Sequence, residues 1–172
     1  MKKLVLVLAI VFAGVMSANA QVWIGGALGA QVEKNHTGFD FAPEIGYAIN
    51  NQWQLALGID YGFDQTKMEI AGVEHKTTAS NLYLQPYVRY VGGTIGHKFS
   101  LFADLCGDIA LLDAQGAYAV TIQPGIAWQA TDKFTAAFRF AKIGYDHNIY
   151  GTDGFLLQGA LAATRIGIYY NF

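Results

Sequence analysis

The sequence predicts an all-β chain folded as an eight-stranded antiparallel up-and-down transmembrane β-barrel. Three observations carry this reading. First, the last segment alternates. Phe172, Tyr170, Ile168, Ile166, Thr164 and Ala162 share one face; Asn171, Tyr169, Gly167, Arg165 and Ala163 share the other. A period of two puts these sets on opposite sides of a sheet, one apolar and aromatic, the other small, polar and once charged. Second, the chain is 53% hydrophobic, yet beyond residue 20 it has no apolar run of the roughly 20 residues that a helical span needs. Closed barrels are the other way to pair every backbone group in lipid. Third, a hairpin motif recurs. Phe41, Pro43, Ile45 and Tyr47 repeat as Leu84, Pro86, Val88 and Tyr90, and again as Ile122, Pro124, Ile126 and Trp128. Each copy leads through a turn to an aromatic that opens the next strand: Trp53, Phe99 or Phe134.

The strands follow in order. Segment 22–32 sends Ile24 and Leu28 outward. Segment 39–49 sends Phe41 and Ile45 outward and Glu44 inward, and 53–64 sends Leu55, Leu57 and Ile59 outward with Gln54 and Asp60 inward. Segment 81–91 has Leu82, Leu84 and Val88 outside, and Tyr83, Gln85, Tyr87 and Arg89 inside. In 99–111, Leu101 and Leu105 face out while Asp104, Cys106 and Asp108 face in. In 117–128, Val120, Ile122 and Ile126 oppose Gln123. In 134–144, Phe138 and Phe140 oppose Arg139. The last segment, 158–172, sends Ile166 and Ile168 outward. Asn50 to Gln52, Gly92 to Lys98 and Gln129 to Lys133 are the turns of one end. Glu33 to Gly38, Gln65 to Ser80, Leu112 to Gly116 and Asp146 to Gly154 are more polar, generally longer loops at the other. An even strand count with short turns at one end and long loops at the other is what single-chain membrane barrels show. Proline removes a ladder donor, so a local bulge is expected at Pro43, Pro86 and Pro124.

Aromatics gather at the strand ends. Tyr47, Trp53, Tyr90, Trp128, Phe134, Tyr170 and Phe172 form a girdle at the short-turn end, and Phe39, Tyr61, Phe63, Tyr118 and Tyr145 one at the other. Tyr and Trp favour a membrane interface because one end of the ring system is apolar and the other wet. The opposite face is too rich in Gly and Ala, and too poor in charge, for a soluble surface. Small residues suit the inside of a narrow barrel.

The N-terminus reads as an export signal. Lys2 and Lys3 precede an apolar run from Leu4 to Met16, and Ala18-Asn19-Ala20 is a small-x-small cleavage site. Residues 1–20 are thus expected to be a cleaved secretory signal peptide and 21–172 the barrel domain. Without Lys2 and Lys3, a chain of 11 basic and 13 acidic residues is more acidic still. That offers no basic stripe for nucleic acid. One cysteine, Cys106, allows no internal disulfide.

The inward face holds the chain's polar constellation. Glu44, Asp60, Asp104 and Asp108 stand against Arg89, Arg139 and Arg165, with Tyr and Gln side chains between them. Counted from the short turns, Glu44, Asp60, Asp104, Gln123, Arg139 and Arg165 are expected in one mid-barrel layer. Buried charges must be paired, and eight strands leave a lumen just wide enough for its own side chains. A salt-bridged closed plug is therefore the reading; an ion or proton path is the alternative.

No catalytic motif stands out. Ser80, Glu74 and His75 share one predicted loop, the nearest approach to a triad, and polar loop residues are ordinarily just solvated. His36, His75 and His147 fall in three different loops without metal-ligand spacing, so no metal or cofactor is expected. Asp64, Asp113, Asp146 and Asp153 read as a solvated acidic rim.

These features together resemble the small outer-membrane β-barrel family of OmpX and the OmpA membrane domain, often labelled porin-family proteins. The marks are the proline hairpins, the alternating strands and the terminal run Ile166, Ile168, Tyr170, Phe172. The leader followed by Gln21 is similar to that of Bacteroidota members. The resemblance implies a monomeric integral protein of the bacterial outer membrane, in contact with outer-membrane lipids and lipopolysaccharide. It implies insertion by the barrel-assembly machinery, which reads Tyr170 and Phe172. It implies a structural or surface-interaction scaffold for adhesion or envelope integrity, binding a host or surface ligand through its outer loops. A narrow porin-like channel and a lipid-modifying enzyme around Ser80 are the other readings.

Overall fold

A computed structural model describes residues 21–33, 36–70, 73–112, 116–150, 153–159 and 164–172. The predicted signal peptide and Asp113 lie outside them. The strands are β1 (Gln21–Glu33), β2 (His36–Ala48), β3 (Trp53–Ile70), β4 (Val73–Ile95), β5 (Phe99–Ala110), β6 (Tyr118–Gln129), β7 (Phe134–Arg139), β8 (Ala141–His147), β9 (Asp153–Gly159) and β10 (Arg165–Asn171). All pairings are antiparallel. β1 pairs with both β2 and β10, and β10 with β7. β6 then pairs with β7, β8 and β5, which closes the sheet. β7 with β8, and β9 with β10, are the two halves of single staves, so the barrel has eight.

Sequence sets the turns locally. Asn50 Oδ1 accepts from the backbone N–H of Gln52 at 2.8 Å and of Trp53 at 2.9 Å, which ties the β2–β3 turn. Thr131 Oγ1 does the same for Lys133 and Phe134 ahead of β7, at 3.3 and 3.0 Å. Such side chains mimic a backbone turn.

The sheet is inside-out relative to a soluble barrel. Ile24, Leu28, Leu105, Val120, Ile122, Ile166 and Ile168 are exposed on its outer wall, whereas Glu44, Asp60, Arg89, Asp104, Asp108, Arg139 and Arg165 are buried within.

Three findings depart from the sequence expectations. The first concerns the span 65–80, expected as a loop. It is strand: β3 and β4 pair without a break as far as Ile70 and Val73, well past Tyr83 and Ala110 where the β4–β5 ladder begins. The polar runs Asp64 to Thr66 and Lys76 to Ser80 lack an apolar face, so the period of two leaves no mark in the sequence and the segment reads as a loop.

The second concerns the prolines. Pro43 and Pro86 cause no bulge. The β2–β3 ladder skips Ala42 and Pro43 and resumes in register, and the β4–β5 ladder skips Gln85 and Pro86 likewise. Each proline points its missing donor at the following strand, so pairing lapses there while the register holds. Only at Pro124 does the register change. β6 pairs Gly125 with Arg139 and Ile122 with Ile143, which leaves one extra residue on the facing strand at Phe140–Ala141. A separate irregularity falls between Val91 and Gly93, at the short-turn end.

The third follows from that bulge. One inserted residue reverses which side chains face inward. Ala137 and Arg139 point into the lumen, but beyond the bulge Lys142 and Asp146 do so. Asp146 therefore belongs to the lumen and not to the solvated rim. Deleting Phe140 is expected to turn either Arg139 or the Lys142–Asp146 set toward the outer wall. The variant should give no heat-modifiable folded band on a gel; a band at the parent's yield would refute the parity argument.

Candidate functional site in the lumen

The lumenal charges stand on alternate positions of strands that surround the axis, so their side chains meet across it. They form two tiers rather than the single layer expected. The lower tier joins β2, β4, β5, β7 and β10. Arg89 binds Asp104 at two points, Nε to Oδ1 at 2.7 Å and Nη2 to Oδ2 at 2.8 Å. Arg139 Nε donates to Asp104 Oδ2 at 2.7 Å, while its Nη1 and Nη2 grip Glu44 at 3.0 and 3.2 Å. The hydroxyls of Tyr87 and Tyr169 also donate to Glu44 Oε2, at 2.5 and 3.0 Å. Two guanidiniums thus balance two carboxylates, with planar forks suited to two-point contact. Arg89 lies against aromatic rings as well, its Cζ 4.1 Å from the Phe102 centroid and 5.5 Å from that of Tyr87.

The upper tier begins at Arg165. Arg139 and Arg165 are directly opposed across β7 and β10, and like charges so placed repel. The two diverge. Arg139 turns down to Glu44 and Asp104, and Arg165 turns up to Asp60 and Asp40, binding Asp60 through Nη2 with Nε 2.9 Å from Asp40 Oδ2. Alongside, Asp108 accepts from the Gln85 amide and from the Tyr150 hydroxyl, the latter at 2.8 Å; Lys142 Nζ donates to that hydroxyl at 2.9 Å. Asn148 adopts a left-handed backbone, φ 61°, a region that Asn tolerates better than most residues. The chain thereby doubles back, and Asp146 accepts from the backbone N–H of Ile149 at 3.0 Å and of Tyr150 at 3.1 Å. Tyr150 is held over the lumen as a result. Gln123 is buried, bonds Thr121 at 3.2 Å and stands directly opposite Asp104 across β5 and β6.

The short-turn girdle is clustered. Trp53 meets Tyr90 with centroids 4.8 Å apart, Phe134 meets Tyr170 at 5.2 Å, and Tyr170 meets Phe172 at 5.1 Å. Trp128 is exposed on the same rim and Tyr47 is half-buried. Cys106 is buried in the lumen wall. Ser80 and His75 both lie on β4, five residues apart, which is about 17 Å along a strand. Extended backbone therefore separates them, and Ser80 instead receives the Tyr61 hydroxyl at 3.4 Å. His147 pairs with Asp153 at 2.9 Å, while His36 and His75 stand on β2 and β4. Among the described residues no three His, Cys, Asp or Glu side chains converge on a metal position.

Sequence reasoning missed Trp23, Asp40, Phe102, Lys142 and Tyr150. Trp23 shares its face with Ala27, and Phe102 with Asp104, so alternation does mark both as inward. Lys142 needed the bulge, and Tyr150 needed the chain reversal.

No protein family and no curated protein matches the chain. Among solved structures it is similar to small outer-membrane barrels. The outer membrane protein W of E. coli is 11% identical over 89% of this chain and 97% of that one, with a TM-score of 0.42. Ail of Yersinia pestis, in a phospholipid nanodisc, is 18% identical over 89% and 98%, with a TM-score of 0.43. A de novo designed transmembrane β-barrel is 11% identical over 89% and 94%, also at 0.43.

Proposed function

We propose that this protein is an integral β-barrel of a bacterial outer membrane, a non-catalytic scaffold whose lumen is closed by its own ion pairs. The observation that carries the reading is the reversed polarity of the wall. Charged groups fill the inside and large apolar side chains cover the outside, an arrangement that only lipid makes favourable. Its height fits. Trp53 and Phe63, on the two girdles, are ten residues apart along β3, about 33 Å of strand. At the usual tilt of about 40° this is about 25 Å along the membrane normal, the height of a barrel's apolar band. The export signal expected at residues 1–20 and the outward aromatics Tyr170 and Phe172 of β10 and its end fit insertion through the assembly machinery. The β3–β4 hairpin, projecting beyond its neighbours, is the element best placed for adhesion or contact with a surface ligand.

Closure is the testable part. Refolded protein in a planar bilayer is expected to give a flat current baseline, because both tiers lie across the axis. Discrete current steps would favour the narrow-channel reading and make Glu44, Asp104 and Arg139 its lining.

A further inference from the structure

Above the lower tier, at the hairpin end, the lumen widens among the upper-tier residues into a vestibule of about 250 Å³. It is lined in part by the ion pair of Arg165 and Asp60, which are 5% and 1% exposed. That pair is incomplete. Arg165 Nη2 bonds Asp60 Oδ2, but Arg165 Nη1 and Asp60 Oδ1 are buried without a hydrogen-bond partner. Asp40 Oδ2 sits 2.9 Å from Arg165 Nε as an ion pair, yet the N–H is not aligned with it. None of the buried carboxylate or guanidinium atoms in the lower tier is left this way. A cationic donor and an anionic acceptor therefore stand unsatisfied side by side, on residues lining one cavity, and buried charged groups carry a penalty until they are paired.

We propose that the vestibule binds a small zwitterionic solute of the α-amino acid class, with its carboxylate on Arg165 Nη1 and its ammonium on Asp60 Oδ1. The complementarity is of sign and spacing: one molecule must bring an acceptor and a donor within a few ångströms of each other. The lining carboxylates Asp40, Asp60 and Asp64 outnumber the cations Lys142 and Arg165, which disfavours a simple anion. The carboxylates are not gathered for a metal ion. The volume suits a molecule of a few heavy atoms and excludes a folded peptide. The site stands whether or not the lower tier conducts.

The test is titration of refolded, isotope-labelled protein with glycine, followed through its backbone amide resonances. Nanodiscs of phosphatidylglycerol are used so that no zwitterionic headgroup competes. Saturable shifts are expected, confined to the surroundings of Asp40, Asp60 and Arg165. Methylammonium and acetate, each carrying half of the recognition, are expected to bind at least about ten-fold more weakly. Gly62→Leu supplies a control that removes no charge. Gly62 lines the vestibule, and a Cβ there meets only the Asn81 Cβ at 3.9 Å, so the larger side chain fills the space. That variant is expected to keep its heat-modifiable fold and lose the shifts. No saturable shift, acetate binding as well as glycine, or glycine binding unchanged in Gly62→Leu would each overturn the proposal. The same shifts appearing in phosphatidylethanolamine nanodiscs without glycine would overturn the assignment to a free solute in favour of a lipid headgroup.

Discussion

Replacing Arg139 with methionine is expected to cost about 3–5 kcal/mol of folding stability, the usual result of stripping one partner from a buried ionic network. The size follows from what the side chain connects. Arg139 is 2% exposed and is the one guanidinium that touches both lower-tier carboxylates, reaching Glu44 from β7 across to β2 and Asp104 across to β5. Without it Asp104 keeps both bonds to Arg89, but Glu44 keeps only the hydroxyls of Tyr87 and Tyr169. Those are neutral donors, so a carboxylate remains in the lumen with no cation bound to it. The loss should therefore reside mainly in Glu44, and Glu44→Gln in the Arg139→Met background should return about half of it or more. Urea titration of the heat-modifiable band, read across the four members of the cycle, measures the coupling. Equal losses in the single and double variants would mean that Arg139 acts through its bulk and not through Glu44.

Most of this network is legible in the sequence because a strand's period is two, and one known face fixes every other residue until register slips. From Phe172 the count places Arg165, Gly167 and Tyr169 inside, and the same counting within each proline hairpin puts Glu44, Arg89 and Asp104 there as well. Legibility ends where an event involves two strands. The residue that reverses the parity of β8 is visible only against Pro124 on β6, so Lys142 and Asp146 were hidden by a partner that sequence alone does not supply. The division into tiers was hidden in the same way. Arg139 and Arg165 occupy equivalent heights, and only their direct opposition across β7 and β10 sends one guanidinium down and the other up. The far half of the β3–β4 hairpin was obscured for a different reason. It runs on past the end of the neighbouring β4–β5 ladder, and its polar composition carries no period of two to mark it as strand.

Substituting valine for Gly46 is expected to destabilise the barrel by about 1–3 kcal/mol, as overpacking of a filled interior does, and trimming the residue opposite should reverse the effect. Gly46 and Trp23 are directly opposed on β2 and β1, and the indole lies flat across the glycine. A Cβ at position 46 would fall 2.1 Å from Trp23 Cζ2, nearer than any side chain accepts. The ring cannot simply swing away, since Tyr169 packs edge-on against its other side with centroids 4.9 Å apart, and Arg89 lies 6.0 Å from its centre. Trp23→Ala alone is expected to cost about 3–5 kcal/mol by leaving a cavity beside the lower tier. The two changes made together refill part of that cavity from the opposite strand, so Trp23→Ala with Gly46→Val should be more stable than Trp23→Ala by itself. Additive losses would show instead that the glycine is required by its backbone and not by the ring. The pairing matters beyond packing: a residue with no side chain on one strand makes room for the largest on the next, and that is how an eight-stranded barrel holds Trp23 and Tyr169 beside the two arginines of the lower tier, Arg89 and Arg139.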